Sequence, residues 1–369
     1  MRQLGLAVLL IAIAWAGGCA PAALPAPPTP SPAAAPSRST APPVAPAPTA
    51  APRSPDSVRV SYTSGLAGAL QVAIARGYFA EQGIDLRREE FGSTAEAMAP
   101  LTTGELDAGS TTPNASLFNA LARGVRLRLA LAGTYIEPGT NYLPLMVRLG
   151  PDGAPVARDV AELRGKRIAQ NQRGVISEWA LDRLLGEANL RLDDVELTIM
   201  PFPDTLVALG GGSIDAVVMP EPFGTIAELR GLAARVRDAG EVIPGGQVAV
   251  MSFSERFASE RPEVAKRWAV AYLRGARDYM DAMELGRDRE AVVALLAQMS
   301  GLDAGLIERA GYGAVRRDGR VDAAALEAML DWLVARGYVP QRPDLAPVLD
   351  TQFADYAARV LDGQREAGH

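Results

Sequence analysis

Leu101-Thr102-Thr103-Gly104-Glu105-Leu106-Asp107-Ala108 returns later in the chain as Leu209-Gly210-Gly211-Gly212-Ser213-Ile214-Asp215-Ala216. Each copy reads as a helix end, a capping glycine and the entry into a strand, so the repeat marks two modules of one design. Gly210-Gly211-Gly212 is not a phosphate loop, because it follows a helix and precedes a strand, the reverse of the order such a loop requires. Before the first copy, Val58 to Tyr62 alternates as a strand, Leu70, Ala73 and Ile74 lie at helical spacing ahead of Gly77, and Ile84 to Phe91 forms a second strand. Ser93 with Glu96 makes a capping box for a helix through Met98 and Leu101. Leu106 to Ser110 is a third strand, Thr112-Pro113 starts a helix that stops at Gly124, and Val125 to Leu131 alternates as a fourth strand.

The second copy has similar surroundings. Asn141 to Arg148 is a strand, Gly150 to Pro155 is a Gly- and Pro-bearing break, and Lys166 to Ala169 opens a new cycle. Gly174 precedes a helix through Ala180, Leu181, Leu184 and Leu185, Val195 to Ile199 alternates, Asp204 caps a further helix, and Ile214 to Met219 runs into Pro220-Glu221-Pro222-Phe223. Val248 to Ser252 reads as a strand returning to the first module, and from Pro262 onward the pattern is helical. Strands alternating with helices specify parallel α/β architecture. The expected division is lobe one over 56–145, lobe two over 146–245, and a return to lobe one with C-terminal helices over 246–369.

Composition removes whole classes of function. The 369 residues carry 37 Lys and Arg against 43 Asp and Glu, a net charge of −6, which leaves no broad basic surface for nucleic acid. The single histidine is His369 and the single cysteine is Cys19, so neither is held among partners in the folded body. A Cys/His zinc site, a Cys–His nucleophile pair and a Ser–His–Asp triad are therefore out of reach. Carboxylate-only chemistry stays formally open, but no spacing of acids singles out a pair. No metal and no cofactor is implied.

Arg2, the apolar run from Leu4 to Ala16, and Ala16-Gly17-Gly18 before Cys19 read as a signal peptide over 1–19. The run is shorter than the roughly 20 residues that span a bilayer. Small residues before a cysteine resemble the bacterial lipobox, in which that cysteine is acylated and becomes the new N-terminus. Ala16 stands where leucine is commoner, and the alternative is an ordinary cleaved signal with an incidental Cys19. The 20–55 stretch is Pro, Ala, Ser and Thr with almost no charge, a linker that cannot bury enough surface to fold. At about 3.1 Å per residue it would hold the body up to roughly 100 Å from a membrane. The protein is expected to be exported and lipid-anchored, in the periplasm or at the cell surface.

Arg76-Gly77-Tyr78-Phe79 with Gly83-Ile84, Gly104 to Gly109, Ala122-Arg123-Gly124-Val125, Leu163 to Ala169, Ile214 to Val218 and Glu221-Pro222-Phe223, in this order, resemble the bacterial substrate-binding proteins of the nitrate, sulfonate and taurine importer class. That class shares a fold with the thiamine-pyrimidine binders and synthases, and the resemblance covers nearly all of residues 57–361. It implies the type II periplasmic-binding-protein fold, α/β and two-lobed, with a cleft between the lobes and C-terminal helices. It also implies an ABC transporter permease and ATPase as partners, a small-molecule solute as ligand, and action as a monomer. The synthases of this fold use histidine and a cysteine-rich motif, which the body of this chain lacks.

In open α/β lobes, ligands bind beyond the carboxyl ends of strands, where loops and helix N-termini present free N–H groups. Those ends are Ser64 and Gly65, Gly92 and Ser93, Thr111, Thr112 and Asn114, and Tyr135 in lobe one, with Gln172, Arg173, Gly174 and Glu221 in lobe two. Helix starts at Ser93, Thr112 and Gly174 favour an anionic or strongly polar solute. Ser93 and Thr112 have the competing role of capping their own helices. Arg173 suits bidentate pairing with a sulfonate or carboxylate, or plain exposure to solvent. Glu221 suits an amine on the ligand, or capping of the helix after Pro222, and Trp179 reads as core. The leading expectation is a sulfonate-, taurine- or nitrate-like ligand. The alternatives are a pyrimidine or amine, for which Glu221 and the tyrosines outweigh Arg173, a tethered sensory module, and a carboxylate enzyme.

Overall fold

The computed structural model describes residues 54–63 and 68–367; the expected signal peptide with Cys19, nearly all of the expected linker, Ser64 and Gly65 lie outside the described residues. The first module runs β1 (Asp56–Thr63), α1 (Gly68–Ala75), α2 (Tyr78–Glu81), β2 (Ile84–Phe91), α3 (Met98–Thr103), β3 (Ala108–Thr111), α4 (Ala115–Ala122) and β4 (Leu127–Ala132). After β5 (Thr134–Tyr135) come β6 (Pro144–Arg148), β7 (Arg167–Gln170), α5 (Ile176–Glu187), β8 (Glu196–Ile199), α6 (Phe202–Gly211), β9 (Ala216–Val218), α7 (Phe223–Leu229) and β10 (Ala233–Asp238). The remainder is β11 (Val250–Ser254), α8 (Glu255–Glu260), α9 (Pro262–Leu285), α10 (Arg289–Ser300), α11 (Ala304–Arg309), β12 (Ala314–Val315), α12 (Ala323–Ala335) and α13 (Gln352–Ala367).

The two large sheets have one plan. The first is ordered β2-β1-β3-β11-β4, and the second, read from the matching edge, β8-β7-β9-β6-β10. In each, three parallel strands are followed by an antiparallel fourth, β11 or β6, and by a fifth antiparallel to that. The repeated sequence sits at the same place in both. Asp107 Oδ2 accepts from the Arg59 N–H at 2.8 Å while the Arg59 guanidinium donates to the Gly104 carbonyl at 3.3 Å. Asp215 Oδ2 accepts from the Arg167 N–H at 3.1 Å while the Arg167 guanidinium donates to the Gly212 carbonyl at 2.7 Å. Gly104 and Gly212 both take left-handed backbone, with φ of 78° and 69°, where a side chain would be strained.

The return of β11 to the first sheet puts two segments across the lobe junction. They bind each other: the Ile136 N–H donates to Gly246 at 2.9 Å, the Gly245 N–H to Ile136 at 2.8 Å, and the Ala249 N–H to Thr134 at 2.9 Å. β12 pairs with β5 alongside them. The expected boundary between 145 and 146 falls inside β6, which pairs in the second sheet along its length. Asp204 lies in the first turn of α6, and its expected capping role is not taken: Pro201 holds the cap position with no side-chain bond.

Lobe one is buried largely by α9. Trp268 is fully enclosed, stacked on Tyr272 with ring centroids 5.5 Å apart and edge-on to Phe253 at 5.2 Å. Gly275 lets α9 meet α1 backbone to backbone, since a Cβ there would lie 2.7 Å from the Ala69 carbonyl oxygen. One turn further along α9, this close approach brings Tyr279 over the start of α1. A second core joins α4 and β4 of lobe one, α5 and β7 of lobe two, and α12. Trp179 belongs to it, as its helical spacing suggested.

Candidate functional site

Where the lobes meet lies a cavity of ≈ 180 Å³. Carboxyl ends of lobe-one strands supply Ser61 and Tyr62 from β1 and Ser110 from β3, with Thr94 and Thr112 beside them. The crossing segments supply Thr134, Tyr142, Val248 and Ala249. From the C-terminal part, α9 contributes Tyr272, Tyr279 and Met283, and the stretch before β12 contributes Gly311, Tyr312 and Gly313. Lobe two reaches in with Glu221, just beyond β9.

Glu221 is held firmly. Its Oε1 accepts from Arg235 Nη2 at 2.6 Å and its Oε2 from the Thr225 N–H at 3.0 Å. It therefore caps α7, as its sequence context suggested, and also faces the cavity. Burial together with the Glu221 charge pushes the Tyr142 phenol up to about 12, and burial also raises Tyr279 and Tyr272. These phenols keep their protons at neutral pH and serve as neutral donors and acceptors. Tyr272 spends its proton on the Ala132 carbonyl at 2.9 Å, and the Thr94 and Thr112 hydroxyls pair at 3.0 Å.

Of the residues expected from sequence, Thr112 and Glu221 line this cavity. Gly92 and Ser93 are bound to Glu96 instead, through the Gly92 N–H at 3.1 Å and the Ser93 hydroxyl at 3.1 Å. Thr111 is buried against Ser252, with its Oγ1 2.7 Å from the partner hydroxyl. Asn114 caps α4 by accepting from the Leu117 N–H at 2.9 Å, a role the Thr112-Pro113 reading placed two residues too early. Tyr135 donates to Glu137 at 2.9 Å. Arg173 donates to Glu178 Oε1 at 2.8 Å, and the Gly174 N–H to Glu178 Oε2 at 2.6 Å. Both are spent within lobe two, and the Gly174 carbonyl accepts from the Ala115 N–H at 3.0 Å, closing lobe two onto the start of α4.

The tyrosines of α9 and of the segment before β12 were missed. Their helical spacing reads equally as core packing, and glycines such as Gly68, Gly133, Gly275, Gly311 and Gly313 flag close approach nearby. Among the described residues no three His, Cys, Asp or Glu side chains gather as a metal's ligands would, and no helix is long and apolar enough to cross a membrane.

A family model described as the NMT1-like family matches residues 53–297. A protein of Escherichia coli (strain K12) named as an aliphatic sulfonates-binding protein is 28% identical over 266 residues, covering 70% of this chain and 76% of that one. The alkanesulfonate-binding protein from Xanthomonas axonopodis pv. citri, solved bound to MOPS, superposes with a TM-score of 0.64 at 22% identity over 81% of this chain and 99% of its own. A desulfurization enzyme superposes with a TM-score of 0.61 at 21% identity over 83% of this chain and 99% of its own. The structural likenesses establish the fold, the two-lobed periplasmic-binding type, and show that both binders and an enzyme are built on it.

Proposed function

The chain belongs to the NMT1-like family, and from that premise we propose that it is the solute-binding component of an ABC importer, holding a small polar molecule between its lobes for a permease and its ATPase. The observation that carries this reading is a hydroxyl-lined cavity at the seam of two lobes of one design, closed by one acid from the second lobe. Binding rather than catalysis fits a body whose sole cysteine and sole histidine stand at positions 19 and 369. Ligand closes such a clamp by binding the closed arrangement better than the open one. Acylation at Cys19, with the 20–55 linker as tether, would keep the receptor at the outer face of its membrane.

The E. coli and Xanthomonas relatives support a sulfonate-like ligand. Glu221 and the tyrosines in the wall, with Arg173 outside it, support a pyrimidine instead. Thermal melting of the full chain with taurine, alkanesulfonates, nitrate and aminopyrimidines tests the proposal. A true solute at 100 times its Kd stabilises by roughly 2.7 kcal/mol. No shift from any compound in a wide panel would contradict it, and turnover of one would favour an enzyme.

A further inference from the structure

Among the described residues that line the cavity, none is Arg, Lys or His, so the described wall supplies no counter-charge for an anion. Its acid, Glu221, is already balanced by Arg235 at 2.6 Å, and Arg235 does not reach the cavity. Burying a net charge without compensation is costly, whereas a neutral polar group that finds hydrogen bonds loses little.

What the cavity offers is unspent hydrogen-bonding capacity. Tyr279 is 6% exposed, and among the described residues its hydroxyl has no partner. The same holds for the hydroxyls of Tyr142 and Tyr312. The Tyr279 Cζ lies 2.8 Å from where a Gly68 Cβ would be, so the hydroxyl stands at the start of α1, whose Gly68, Ala69 and Leu70 N–H groups lie at the cavity wall and have no partner within the helix. One side of the cavity therefore seeks acceptors, while Glu221 on the other seeks a donor. Between them Leu70, Met251, Met283, Leu296 and Ile307 present apolar surface.

Resting on the reading of this cavity as the solute site, we propose that the solute is uncharged and ring-sized, with a carbonyl-type acceptor and an N–H donor, of the amide or lactam kind. Its acceptor meets the Tyr279 side and the start of α1; its N–H meets Glu221. Net anions are rejected for want of a cation, and net cations because the Glu221 charge is already taken by Arg235.

Four compounds of one size test this on the full chain by calorimetry and melting: benzamide, benzoate, benzenesulfonate and benzylamine. Benzamide is expected to bind at least about tenfold more tightly than the three charged compounds. Tyr279→Phe, which removes a hydroxyl that makes no bond among the described residues, should leave the melting temperature of the free chain in place and weaken benzamide by about tenfold. Tighter binding of benzoate, benzenesulfonate or benzylamine overturns the ligand class and leaves the binding reading standing. Unchanged benzamide affinity in Tyr279→Phe overturns the placement. Failure of all four overturns the ligand class, and the wider panel above then decides whether the binding reading falls with it.

Discussion

Lobe one and lobe two share a strand order and an Arg–Asp–Gly lock at the same strand entry, yet they face the cavity unequally. Lobe one and its C-terminal helices build nearly the whole wall, while lobe two contributes Glu221. The asymmetry follows from packing. α9 covers lobe one along α1 and carries Tyr272, Tyr279 and Met283 to the cavity, whereas lobe two is buried by its own α6 and α7 and by the joint core with α12. A repeated frame thus fixes where a cavity forms, and the unrepeated helices decide its chemistry.

The locks themselves differ, and removing them gives the largest expected effect. Asp215 takes four bonds, from the Arg167 N–H, Nε and Nη2 and from Arg148 at 3.1 Å. Asp107 takes the Arg59 N–H and lies 3.7 Å from Arg261. Asp215→Ala should destabilise the chain more in urea unfolding than Asp107→Ala, which should cost about 1 to 3 kcal/mol, since it removes four bonds where Asp107→Ala removes one. A reversed order would break the comparison. Burial opposes ionisation of Asp215, but the Arg167 and Arg148 bonds outweigh it and hold the carboxyl well below its usual range. A depressed folded-state pKa gives stability that is complete above the unfolded value of about 3.9 and is lost as pH falls below it toward the folded value. The fall in melting temperature below about pH 4 should therefore be smaller in Asp215→Ala than in the parent.

Next in size is Gly174→Ala. Its φ is 66°, and a Cβ would lie 2.7 Å from Ala115 Cβ, at the point where lobe two rests on α4. Gly77 in lobe one has φ of 74° and open space around its Cβ position. Strain alone should cost Gly77→Ala about 1 kcal/mol, while Gly174→Ala should cost about 2 to 3 kcal/mol and raise the radius of gyration by loosening the lobes. Equal losses, with no change in scattering, would show that the Gly174 contact does not hold them together. The smallest effect expected is that of Arg173→Ala, which should leave solute affinity within about twofold, because Arg173 bonds the buried Glu178 and lies outside the cavity. A tenfold loss would restore Arg173 to the site.

The frame was legible because its signals are local. Glycine caps at 104 and 212, alternation in Ile84–Phe91 and the matched Leu-Asp-Ala and Ile-Asp-Ala steps all act within a few residues. β10 escaped notice because Ala233–Asp238 carries three polar residues in six and lies half-exposed at a sheet edge. Of the cavity's lining, the strand ends in the sequence gave Thr112 and Glu221. Arg173 stands outside it because its partner Glu178 lies in the first turn of α5, a pairing visible only once Gly174 has turned the chain. Tyr279 was hidden because its place in the cavity wall depends on Gly275 letting α9 meet α1, a contact across about two hundred residues of chain.

The most direct test is a crystal structure of the full chain with the small molecule it retains or, failing that, the panel compound that stabilises it most. Density is expected between Tyr279 and Glu221, touching both. Density beside Arg173 and Gly174, with the tyrosine-walled cavity left to water, would contradict it.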